Sequence, residues 1–358
     1  MMLTKKTVAY AGIPLLVLLL VVGITLGIVL SNNADEASPY RQKMVIDHDG
    51  GADDAYAIAM AFQYETFFYG PNVVAITTSY GNVNLTQAII NSGRILSLVD
   101  RNDVPVYSGA SQCLIQGIES DYYFGYDGLG DFLESMEPVQ VEKEHAAIAL
   151  IELSKKYKGE LVVVALGPLT NIALAIRLDP MFISRLAHLY VGGGHLFSKD
   201  HPGPEFNAEM DVEAYYIVAD GAVADIVTFV PFSQVYKSLT ITKEWRTDVF
   251  GSIQTPLVQT LTSFERVSLP SSESWTLLDP VVSAIALDNS IVTDFKLSKN
   301  SISTCGENRG VNTNYFNHTE PNSRIVYKAD LQKYKDFLLT VFSADMSPST
   351  EHSRKLIN

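Results

Sequence analysis

The sequence predicts an α/β fold with a mostly parallel central sheet flanked by helices, preceded by an N-terminal transmembrane helix. Three observations predict it. Short β-rich runs are apolar throughout, helical-period segments lie between several of them, and residues 8–30 carry no charge.

The elements follow in order. Residues 1–7, with Lys5 and Lys6, form a short leading segment. The run VAYAGIPLLVLLLVVGITLGIVL over 8–30 comes next. At a helical rise of about 1.5 Å per residue it reaches across a hydrocarbon core of about 30 Å. It is also longer than a usual secretory apolar stretch, which favours a signal anchor. Lys5 and Lys6 before it, against Asp35 and Glu36 behind it, place the amino end in the cytoplasm. A single-pass type II protein with its main domain extracellular or lumenal is expected, and a secreted domain released by cleavage is the alternative. Residues 31–42 are polar and contain Pro39, as a short stalk would.

From Lys43 the strand-like runs are KMVID (43–47), VVAITTSY (73–80), VPVYSG (104–109), LVVVAL (161–166), HLYVGG (188–193) and IVTFVP (226–231). Helical segments alternate with them. DDAYAIAMAF puts Ala55, Ile58, Ala59 and Phe62 on one face, and NIALAIRL over 171–178 behaves alike. Phe295–Ser303 and Ser323–Tyr327 read as late strands, Asp330–Phe342 as a closing helix, and 346–358 as a polar tail. In such sheets ligands bind at the carboxyl ends of the strands.

Composition narrows the function. With 47% hydrophobic and 18% charged residues the chain is globular, and its formal net charge of -14 repels polyanions. Nucleic acid is therefore not an expected partner; a small neutral molecule or a cation is. Cys113 and Cys305 are either a disulfide of an oxidising compartment or two free thiols. The sequons at Asn84 and Asn317 fit an outward-facing domain, and Asn317, in a polar stretch, is the better glycosylation candidate.

The densest chemical signal is Val45-Ile46-Asp47-His48-Asp49-Gly50-Gly51-Ala52-Asp53-Asp54. An apolar strand ends in two acids, glycines allow a turn, and two more acids open a helix. Carboxylates this close repel one another unless a cation joins them, and hard divalent ions take oxygen ligands. An EF-hand is excluded, because the twelfth position counted from Asp47 is Ile58 rather than Glu. Helix capping accounts for Asp53 and Asp54 but not for the pair on the strand. A phosphatase built on the D-x-D strand end needs a lysine and a Ser/Thr phosphate grip, and no comparably placed set stands out.

This segment resembles the D-x-D-x-G-x-D-D signature of the inosine-uridine-preferring nucleoside hydrolase family. Gly81-Asn82, Tyr126-Asp127-Gly128-Leu129-Gly130 and Ala165-Leu166-Gly167-Pro168-Leu169-Thr170-Asn171 are similar to further family motifs. So are Glu205-Phe206-Asn207 with Asp211, Glu213 and Ala214, and Leu278-Asp279-Pro280. The resemblance runs from residue 43 to about 345, in matching order and spacing. It implies hydrolysis of the N-glycosidic bond of ribonucleosides, purine ones foremost, with inversion at C1'. It implies Ca²⁺ held by Asp49, Asp54, Asp279 and the Leu166 carbonyl, with Asp49 also the general base toward water on the ion. Asp53, Asn82, Glu205 and Asn207 would hold the ribose hydroxyls, Asp279 would also lie near the sugar, and Asp47 would orient the loop from behind. A homo-oligomer is a further possibility that the resemblance raises. The chemistry is coherent: cleavage builds positive charge on the sugar, which surrounding carboxylates stabilise.

The sequence departs from the family at the leaving base. Leu278 stands where a His usually precedes the last metal Asp, and Phe124 where another His is often found. The stretch Ser198–Pro204 lacks the Asn often used on the ribose 5'-hydroxyl. Stacking by Phe124, Tyr126 or Trp275 would raise the proton affinity of the base, and His195 and His201 are fallback acids. The alternative is a cell-surface protein that binds nucleosides with weak turnover or none.

Overall fold

A computed structural model of the chain describes residues 41–131 and 139–344. The expected anchor at 8–30, nearly all of the stalk and the tail at 346–358 lie outside the described residues. Among the described residues no helix is long and apolar enough to cross a membrane.

Among the described residues nine strands form one sheet: β1 (Lys43–His48), β2 (Asn72–Thr78), β3 (Val106–Ser108), β4 (Leu161–Ala165), β5 (His188–Gly192), β6 (Val227–Val230), β7 (Val292–Ile302), β8 (Asn312–Phe316) and β9 (Ser323–Ala329). Their spatial order is β3-β2-β1-β4-β5-β6-β9-β7-β8. The pairs from β3 through to β9 are parallel, and β7 is antiparallel to both its neighbours. β8 is an addition to the expected strands. Its sequence NTNYF has no apolar run, and its register with Ser298–Ile302 of β7 makes it an edge hairpin strand.

The apolar strand runs have a direct cause. Met44 and Ile46 of β1 enter one core layer while Val45 enters the other, so alternating side chains are buried on both faces. β1 lies between β2 and β4, with Asp47 level with Thr77 on one side and Ala165 on the other. The connection after β1 runs to β2 and the one after β4 runs the opposite way to β5, which opens a crevice at the carboxyl ends of these two adjacent strands.

The helix Ala52–Phe67 departs from its sequence reading. A single apolar face was expected, yet every residue from Ala52 to Phe62 is buried. Alanines allow the neighbouring helix Asp279–Leu287 to approach closely, and Ser283 Oγ donates to the Ala57 carbonyl at 3.0 Å. A helix packed on all sides shows no amphipathic stripe.

Candidate active site

The crevice at the end of β1 gathers the acids. Gly50 has φ +90°, a left-handed turn that glycine adopts without strain, and the helix starts two residues later. The Gly51 amide donates to Asp54 Oδ2 at 2.7 Å, folding that carboxylate back over the helix start. Asp49 Oδ2 accepts from the Asn82 amide at 2.9 Å, which ties β1 to the loop after β2. Asp279, far along the chain, opens the helix Asp279–Leu287. Carboxylate oxygens of Asp53, Asp54 and Asp279 lie within 4.8 Å of one another. Asp49 is not one of these three, but it lies near enough for the charge of Asp54 to act on its carboxyl.

All four acids are buried. Among the described residues no lysine or arginine forms an ion pair with any of them. His48 Nδ1 is 4.0 Å from Asp54 Oδ1 but does not neutralise it. The Ser92 hydroxyl donates to the Ala88 carbonyl, so the His48 Nε2–H donates to Ser92 Oγ at 2.7 Å and Nδ1 is left bare. Burial lowers the His48 pKa and keeps the ring neutral. Burial, and then the charge of Asp54, holds Asp49 and Asp53 well above the usual carboxylate range. Asp279 is raised by burial and then by Asp53, Asp54 and Asp49. Asp54 Oδ1 is buried with no hydrogen-bond partner. An orphaned carboxylate oxygen among converging acids fits a hard divalent cation.

Asp47 sits behind this cluster. It accepts from Thr77 Oγ1 at 2.6 Å and Asn171 Nδ2 at 2.8 Å, and burial pushes its pKa up to about 7. Asn171 also donates to the Thr78 carbonyl at 3.0 Å, which binds the ends of β1 and β2 together.

A cavity of about 370 Å³ opens beside the acids. Asp53, Asn82, Leu166, Glu205, Asn207 and Asp279 supply one part of its lining. Glu205 caps a short helix: its Oε2 accepts from the Gly194 and Ala208 amides at 2.7 and 3.1 Å, its Oε1 from the Asn207 amide at 3.2 Å. Asn207 Nδ2 donates to the carbonyls of Leu166 at 2.6 Å and Gly192 at 3.2 Å. The Leu166 carbonyl, expected to face an ion, thus has a protein donor on it.

The aromatic expectations divide. Phe124 lies on the cavity wall. Trp275 does not: it is 4% exposed, its indole N–H donates to Glu265, and its ring packs edge-on against Tyr56. Tyr126 is 79% exposed and leans on Tyr122, outside the cavity lining. Neither ring lines the cavity, because the core takes one and solvent the other. Tyr123 and Phe232 line the cavity instead, with Tyr123 Oη 2.5 Å from Ser272 Oγ. Only the run Tyr122-Tyr123-Phe124 hinted at the first of them. His195 lines the cavity and its Nδ1 has no partner, while the His201 ring lies tilted against it at 4.6 Å between centroids and lines a neighbouring cavity. Burial, and then His201, pushes the His195 pKa down to about 4, so its ring is neutral.

Asn84 caps the helix Leu85–Leu98 through the Gln87 amide, and Asn317 is exposed in a left-handed turn after β8. Both thiols are unpaired, Cys113 half-buried and Cys305 exposed.

The profile of the family "Inosine-uridine preferring nucleoside hydrolase" matches residues 44–336. The chain belongs to this family. Its members are N-glycosyl hydrolases, and their metal dependence accords with the acid cluster. The chain is 36% identical over 194 residues to "Probable uridine nucleosidase 1" of Oryza sativa subsp. japonica, covering 52% of this chain and 58% of that one. It is 36% identical over 190 residues to "Uridine nucleosidase 1" of Arabidopsis thaliana, covering 52% and 53%. It spans less than two thirds of the length of these curated relatives. Among solved structures, "Inosine-Guanosine Nucleoside Hydrolase (IG-NH)" superposes with a TM-score of 0.74 at 26% identity, covering 85% of this chain and 99% of that one.

Proposed function

We propose that this chain hydrolyses the N-glycosidic bond of ribonucleosides, with Ca²⁺ held by Asp49, Asp54 and Asp279. The observation that carries the proposal is the convergence of acids from two distant stretches beside a cavity furnished with Glu205, Asn207 and Asn82. When bound, the ion supplies a polarised water and offsets the mutual repulsion of the acids.

The chain's own groups do the rest. Asp49, its proton affinity raised by burial and by Asp54, accepts the proton of the attacking water. Asp53, Glu205, Asn207 and Asn82 hold the ribose hydroxyls, and the acids on that face stabilise the positive charge that builds on the sugar. Water enters from the acid side and the base departs from the other, so C1' inverts. The Leu166 carbonyl, which accepts from Asn207, would join Asp49, Asp54 and Asp279 in holding the ion.

A purine substrate is the finer part of the proposal. Phe124 and Tyr123 on the cavity wall support it, since a two-ring base offers a larger face for stacking. A domain anchored through residues 8–30 and facing outward is likewise proposed, on the length and flanking charges of that run.

The test is release of free ribose from inosine, adenosine, guanosine, uridine and cytidine, with Ca²⁺ and then with chelator. Chelator-sensitive release, fastest from a purine nucleoside, is expected; no release from any of them overturns the hydrolytic reading. A second reading, binding without turnover, is favoured by Leu278 in place of a His and by the neutral His195, a weak acid toward the departing base. Calorimetry showing nucleoside binding by a protein that releases no ribose selects it.

A further inference from the structure

Behind the cavity lies a buried polar network that takes no part in the chemistry above. Arg246 and Glu265 are both buried, and guanidinium and carboxylate meet at 2.5 Å from Nη2 and 2.9 Å from Nε. Glu265 also accepts from Tyr56 Oη at 2.9 Å and from Trp275 Nε1. Tyr56 Oη accepts in turn from Arg246 Nη2 at 2.5 Å. Three rings surround the guanidinium, with Cζ 5.7 Å from the centroid of Tyr56, 5.2 Å from Phe250 and 5.4 Å from Trp275.

A buried ion pair is weak evidence for stability, because desolvation offsets much of its attraction. What it connects carries more meaning. Tyr56 lies on the helix Ala52–Phe67, just beyond Asp53 and Asp54. Trp275 stands shortly before Asp279, and its backbone exchanges two hydrogen bonds with Ile241 at 2.8 and 3.3 Å. The clustered acids come from these same two stretches. Glu265 is near enough for its charge to act on Asp53.

We infer that Arg246 and Glu265 are positioning residues for the cation site. Glu265 joins Tyr56 to Trp275 and so sets how Asp53 and Asp54 stand relative to Asp279. Arg246 offsets part of the charge that Glu265 adds beside acids that already repel. The inference rests on reading the acid cluster as a cation site.

The experiment is a calorimetric Ca²⁺ titration of the protein and of its variants. Glu265→Gln leaves a buried guanidinium without its counter-charge and endangers the fold. Tyr56→Phe and Trp275→Phe therefore carry the test, since each deletes one hydrogen bond to Glu265 and keeps a ring in place. Both are expected to weaken Ca²⁺ binding by about tenfold, a magnitude typical of groups that orient metal ligands. Ribose release by each variant should return toward the unsubstituted rate when Ca²⁺ is raised to saturation, which a general packing defect would not allow. The chain has two tryptophans, so Trp245→Phe isolates Trp275, and its emission should shift as Ca²⁺ binds. Unchanged Ca²⁺ affinity in both ring variants overturns this inference alone. Absence of Ca²⁺ binding by the unsubstituted protein overturns both the inference and the reading beneath it.

Discussion

Two buried charged clusters stand close together in this molecule and are built in opposite ways. Around Glu265 the negative charge has its counter-ion within the chain, and Tyr56 and Trp275 complete its hydrogen bonds. Around Asp54 the carboxylates of Asp53 and Asp279 converge with Asp49 nearby, no described lysine or arginine pairs with them, and one oxygen has no partner. The first arrangement holds its own counter-charge, though Arg246 Nη1 has no hydrogen-bond partner; the second has no counter-charge among the described residues and fits a cation from outside. Burial thus does not distinguish a structural charge from a functional one. The distinction lies in whether the protein supplies the opposite charge.

The largest expected effect comes from the incomplete cluster. Asp49→Asn should lower kcat for ribose release by about 10²–10⁴, the usual worth of a general base, while the protein stays folded. A kcat within a few-fold of the original would remove Asp49 from that role. The paired cluster should answer in stability. Glu265→Leu leaves Arg246 buried and unpaired and should cost about 3–5 kcal/mol in denaturant unfolding. Asp54→Asn should have the opposite sign in chelator, stabilising the metal-free protein by removing a repelling charge. If both substitutions destabilise alike, the contrast between the clusters fails.

A smaller effect follows from mass action. Ca²⁺ at a hundred times its Kd should add about 2.7 kcal/mol to unfolding, and chelator should remove it. The smallest is the pH dependence of the metal-free protein. Asp49, Asp53 and Asp279 are raised from an ordinary value of 3.8. As pH rises past that value the unfolded chain ionises first while the folded one keeps its protons, so their contribution to stability is lost with increasing pH. Denaturation midpoints in chelator should therefore fall from acid toward neutral pH, and excess Ca²⁺ should reverse the slope.

Much of this was legible in the chain. The parallel strands showed as unbroken apolar runs because both faces of the sheet are covered. The acids showed because four carboxylates beside two glycines have few structural uses. β8 was not legible, since the edge segment NTNYF has no apolar alternation. The full burial of Ala52–Phe62 was hidden for the reverse reason: alanines surrounded by helices leave no polar face to read. Which rings line the cavity was not legible either, Trp275 and Tyr126 lying outside it, because sequence shows that a ring is near a motif, not which way it points. Arg246 and Glu265 look like ordinary surface residues in the chain, and only their meeting in the core reveals their part.

The central claim is that acids from both ends of the domain seat one divalent ion beside the sugar. A crystal structure grown with Ca²⁺ tests it most directly. The account predicts one ion at about 2.3–2.6 Å from carboxylate oxygens of Asp49, Asp54 and Asp279, with the Leu166 carbonyl turned to it from Asn207. An ion bound elsewhere, or none at saturating Ca²⁺, with Asn207 still holding that carbonyl, would contradict it.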